Sequence, residues 1–126
     1  MSFIDYQSST DVLVMTKGHP FDRDAFFAAF DSFSDLSYCS VEYPASQAFF
    51  SPELAADFRT FVFYDMPGMD FQSPDPADGL APRLIEPSAK FKQDFLDLVE
   101  KGHGFVFLHH ALAAWPAWPE YAELVG

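Results

Sequence analysis

Two kinds of apolar run alternate along this chain. Short unbroken ones, Asp11–Thr16, Leu36–Tyr43, Thr60–Tyr64 and Gly104–Leu108, have strand length and are rich in β-branched and aromatic residues. Segments with helical spacing lie between them. Asp22 is placed to cap a helix; Phe21 and Phe26 occupy the positions of a hydrophobic staple, and Phe26, Phe27 and Phe30 fall on one face. Pro52–Phe58 predicts a short helix. Ser88 opens the strongest one, whose stripe is Phe91, Phe95, Leu98 and Val99 and whose stop is Gly102. A last short helix starts near Pro119 and ends at Gly126.

None of the four strands alternates cleanly between apolar and polar, so each is expected to be covered on both faces, as in a parallel sheet. The strand–helix order therefore predicts an α/β fold in one domain, residues 1–126. The expected form is a flavodoxin-like three-layer sandwich with strand order 2-1-3-4. Phe105, Val106, Phe107 and Leu108 make the fourth strand too apolar for a comfortable sheet edge. A further strand beyond Gly126 is the expected cover, which would make the sequence a truncated, N-terminal portion of its domain. The tail helix, or a second copy in a homo-oligomer, is the alternative. Between Asp65 and Pro87, seven prolines and glycines rule out a long helix or central strand, and a functional loop or lid is expected there.

Composition narrows the partners. Seven Lys and Arg against 19 Asp and Glu give a net charge of −12, which repels nucleic acid and anionic membrane surfaces alike. With 49% hydrophobic residues and 16 Phe the chain has material for a core. Cys39 is the single cysteine; an intrachain disulfide is excluded, and a buried structural thiol in the second strand is expected. No apolar run has the length of a membrane span, and Met1–Asp5 does not begin like a signal peptide. A cytoplasmic protein is the expectation.

Ligands of an open parallel sheet bind beyond the carboxyl ends of its strands. Lys17 and His19 follow the first strand, Asp65 the third, and His109 and His110 the fourth. In the order 2-1-3-4 these converge on one rim, where imidazoles and a carboxylate can exchange protons near neutral pH or bind a divalent metal. Each also has a plainer reading, as a cap or a solvated turn residue. Strand alternation predicts that only one of His109 and His110 faces the cleft: His109 there, His110 packing toward the loop that carries Trp115. His103 sits at the opposite end of the fourth strand and reads as structural. Trp115 and Trp118 either stack on a sugar or pack in the core. Asp94, Asp97 and Glu100 are expected on the exposed helix face. No glycine pattern of a phosphate loop follows the first strand. The cofactor and metal remain unassigned.

The stretch Gly102–Ala111, which contains His109 and His110, followed by Trp115, Trp118–Tyr121 and Leu124–Gly126, resembles the signature of the trehalose-utilisation (ThuA-like) family. Thr16–Phe21 and Phe63–Gly68 are similar to that family's first and third strand ends. The resemblance covers nearly the whole chain but only the N-terminal half or so of a typical member. It implies a fold similar to class I glutamine amidotransferases and a role in carbohydrate metabolism, with a small sugar at the strand ends. Catalytic groups would come from His109, His110, His19 and Asp65, and substrate contacts from Trp115, Trp118 and Lys17. Amidotransferases carry a nucleophilic cysteine on a glycine-flanked elbow after the equivalent strand; here Phe107–Ala111 has neither, so a thioester mechanism is unsupported. The alternative is a binding or structural domain that kept the fold and lost the nucleophile.

Overall fold

Four parallel strands form the centre of the molecule: β1 (Val12–Lys17), β2 (Tyr38–Glu42), β3 (Thr60–Asp65) and β6 (Gly104–Phe107), in the order β2-β1-β3-β6. The computed structural model describes residues 10–72 and 81–126. Counting only the strands of this sheet, the order is the 2-1-3-4 expected from the sequence. Val14 stands in register with Ser40 on one side and Val62 on the other, and Val62 with Val106. The chain reverses direction across the sheet between β1 and β3, and ligands of such sheets bind at that point, beyond the carboxyl ends.

Alternation along the strands separates two cores. Val12, Val14 and Val62 face α1 (Arg23–Asp31) and pack with Phe26, Phe27 and Phe30. Leu13, Met15, Phe61 and Phe63 face the other way, onto Phe91, Phe95 and Leu98 of α4 (Ala89–Glu100), with α2 (Ala45–Phe49), α3 (Pro52–Ala55) and α5 (Pro119–Val125) beside it. Phe50, just after α2, is fully buried against Phe61, Phe63, Phe95 and Phe105.

The helix starts obey their sequence signals. Asp22 accepts from the Ala25 amide at 3.0 Å and Ser88 from the Phe91 amide at 3.1 Å. The Phe21 and Phe26 rings meet at 5.7 Å as a staple. In the proline-rich segment a two-residue antiparallel ladder joins β4 (Met69–Asp70) to β5 (Arg83–Leu84); the stretch 73–80 of the expected lid, like Met1–Asp5, lies outside the described residues.

Three expectations are corrected. Cys39 is exposed, because β2 is an edge strand and, among the described residues, the larger core reaches Val41 on that face but not Cys39. Asp94 is buried, because α4 turns it toward α2, where it takes the Lys90 ammonium at 2.6 Å. The short helix expected over Pro52–Phe58 ends at Ala55, and a helix that the sequence reading passed over, α2, precedes it. At the other edge, β6 has one neighbour in the sheet, and Val106 and Leu108 are 41% and 37% exposed.

Candidate functional site at the carboxyl rim

Among the described residues three besides glycine have positive φ: Lys17 (86°), the last residue of β1, His109 (56°), just past β6, and Trp115 (50°), whose amide bonds Pro67 O past the end of β3. That conformation is disfavoured for side-chain-bearing residues and persists only where surrounding packing holds it. Gly18 continues the same turn at φ +94°, and a Cβ there would stand 2.7 Å from the Met66 carbonyl oxygen. The β1 turn is therefore pressed against the backbone that leaves β3, and Met66 N donates to Lys17 O at 3.0 Å.

This turn brings His19 over β3. Its ring meets Tyr64 edge-on at 4.8 Å. His110 lies 5.0 Å from His19, His109 5.8 Å, and the latter two rings are 3.9 Å apart. Tyr64 forms the floor, stacked on Phe26 of α1 at 4.3 Å and edge-on to Phe21. His19 Nδ1 is 3.1 Å from Pro20 O. A carbonyl can only accept, so Nδ1 carries the proton and Nε2 of the neutral ring presents a lone pair. That Nε2 is buried and has no hydrogen-bond partner. His109 and His110 are exposed, so the group is an open patch with one sheltered base. His110 is held below the usual imidazole value by desolvation, and then by the charges of His109 and His19.

Both adjacent histidines thus reach one group, against the expected division of His109 to the cleft and His110 toward Trp115. Alternation failed because β6 ends at Phe107, and His109–Ala113 form a 3-10 turn entered through the positive φ of His109.

Asp65 does not join them. Next to Tyr64 on a regular strand, it points to the α4 side, where it is 5% exposed and lines a recess with Tyr43, Phe91, Trp115 and Tyr121. Burial pushes its carboxyl up to about 7, against a smaller lowering by its own backbone amide, and Oδ1 has no partner. Tyr121 donates to Ala111 O at 2.5 Å; its phenol is raised by burial, then by the Asp65 charge.

Trp115 and Trp118 are core residues, 3% and 2% exposed, packed on Phe91 and Phe95, and offer no ring face to a sugar. Lys17 turns outward to Glu42 at 3.4 Å, which also holds Arg23 at 2.7 Å. His103, as expected, is structural, donating from Nδ1 to Phe58 O at 2.7 Å. Sequence reasoning passed over Tyr64 and Thr16, in-register neighbours on the α1 side; Thr16 Oγ1 is buried without a partner. Their signal was alternation, since residues two beyond Val14 and Val62 share that face.

Among the described residues no group of three or more His, Cys, Asp or Glu side chains is arranged to hold a metal ion, and no helix is long and apolar enough to cross a membrane. No family model, curated protein or solved structure matches this chain.

Proposed function

We propose that this chain is a domain of carbohydrate metabolism, related to the trehalose-utilisation family, that binds or acts on a small sugar at the carboxyl rim through His19, His109 and His110. The observation that carries the reading is the convergence of three imidazoles, one of them with an unpartnered Nε2, beside the point where strand order reverses. In this arrangement the sheltered Nε2 of His19 is the hydrogen-bond acceptor for a ligand hydroxyl that enters between the three rings. His109 and His110, both exposed, donate hydrogen bonds to or accept them from neighbouring oxygens. Phe21 and Tyr64 supply an apolar flank for the C–H face of a sugar ring. A single thiol and the lack of a membrane-crossing helix among the described residues accord with a cytoplasmic setting.

A second reading, a binding domain without catalysis, draws support from the α4 side of the rim. There Phe63, Phe91, Trp115 and Tyr121 fill the space around Asp65 and leave a cavity of only about 10 Å³.

Calorimetric titration with trehalose, glucose and inositol tests the proposal. Saturable binding of at least one, lost in His109→Ala with an unchanged melting temperature, is expected. Binding by the variant equal to the wild type would refute the site, and turnover of the bound sugar separates the two readings.

A further inference from the structure

On the α4 side, away from the histidines, Asp65 closes the inner end of a two-part space. The inner part is the cavity of about 10 Å³, room for one water-sized group. The outer part is a cleft of about 310 Å³ between α2 and the start of α4, lined by Gln47, Ala48, Ser88, Lys90, Phe91 and Asp94. Gln47 and Phe91 belong to both walls, so the two spaces adjoin.

The inner cavity has a definite chemistry. One carboxylate oxygen, Asp65 Oδ1, is buried and without a partner, and aromatic rings of Tyr43, Phe63, Phe91, Trp115 and Tyr121 surround it. No Lys or Arg lines it. Lys90, in the outer cleft, is already neutralised by Asp94 at 2.6 Å and Glu53 at 3.7 Å. A buried carboxylate ringed by π faces favours a cation, which gains both the ion pair and the ring quadrupoles. Among cations, an ammonium head is the size of the water-sized space. The chain's net charge of −12 draws cations toward it and repels anions.

We propose that this recess is a binding site for a small primary amine, with its ammonium head against Asp65 and its body in the cleft between α2 and α4. The site is separate from the histidine group and does not depend on the sugar reading. Ionisation of Asp65 controls it. With that carboxyl pushed up to about 7, binding tightens as pH rises through that value, and below it an entering ammonium displaces a proton. The other titratable groups facing the space are the phenols Tyr43 and Tyr121 inside and Lys90 and Asp94 at the mouth.

The test uses n-propylammonium and its uncharged counterpart 1-propanol as probes on the intact chain. Titration followed by Trp fluorescence and calorimetry should show saturable binding of the amine, with proton release below pH about 7 and little response to the alcohol. Asp65→Asn should weaken the amine by about tenfold or more while leaving any alcohol response as it was. Equal binding of amine and alcohol by the wild type, or no amine binding at all, would overturn the proposal. So would an Asp65→Asn protein that binds the amine undiminished. The amine–alcohol comparison decides the matter without any variant.

Discussion

Tyr64 and Asp65 are consecutive residues of β3 that serve opposite sides of the sheet. The Tyr64 ring stacks on Phe26 and carries His19 at its edge, while the Asp65 carboxyl is enclosed with Phe91, Trp115 and Tyr121. Between them they divide the carboxyl rim into an open basic patch and a closed acidic recess. Each half carries a buried polar atom without a partner, His19 Nε2 on one side and Asp65 Oδ1 on the other.

Asp65 makes stability depend on pH in a direction opposite to most carboxylates. Its folded value, about 7, lies above the ordinary 3.8, so the folded chain binds the extra proton between these values. The stability it permits is full below pH 3.8 and is lost as pH rises through about 7. Asp65→Asn, neutral at every pH, should remove that loss. Denaturant melts at mildly alkaline pH should find the variant more stable, by on the order of 4 kcal/mol at most, and melts at acidic pH should find the two alike.

His110 titrates with the other sign. Its folded value is depressed below 6.5, so the folded chain holds fewer protons there than the unfolded one. Stability from this group is present above pH 6.5 and is lost as pH falls through the folded value. His110→Gln should make the acid limb of the stability profile shallower. An unchanged limb in thermal melts would show that neither desolvation nor the neighbouring imidazoles depress His110 in the folded chain.

Phe50 is the centre of the larger core, and its contacts reach β3, β6 and α4 together. Phe50→Ala should cost about 3–5 kcal/mol in equilibrium unfolding. Phe33, which is 51% exposed, serves as control, and its alanine variant should leave the midpoint nearly unmoved.

Gly18→Ala should be costly for a residue with no side chain to lose. Its φ of +94° and the 2.7 Å approach to the Met66 carbonyl leave no place for a Cβ. A loss of more than about 1 kcal/mol is expected. The ring resonance of His19 should shift as well, because the turn that places it must move.

Much of the fold was legible because its signals are local. Two-sided apolar strands, the caps at Asp22 and Ser88 and the Phe21–Phe26 staple depend on neighbours within a few residues, and the strand order follows from parallel connections. What the sequence did not disclose depends on partners far along the chain. Cys39 is exposed because, among the described residues, the core stops short of it at the sheet edge, and Asp94 is buried because α2 lies across it. In the candidate site, the strand-end residues were found but their grouping was not. Asp65 parts from the histidines through the alternation that also governs Tyr64. His110 joins them because the backbone turns at His109, a conformation no propensity predicts for that residue.

The four histidines provide the most direct test of the central claim, since three belong to the proposed site and His103 lies at the far end of β6, bonded to Phe58 O. Their ring resonances can be followed by NMR as trehalose or glucose is added. Shifts of His19, His109 and His110 that saturate together, with His103 still, are the predicted result. Resonances of all three that stay fixed while a sugar binds, or a His103 shift as large as theirs, would contradict the account.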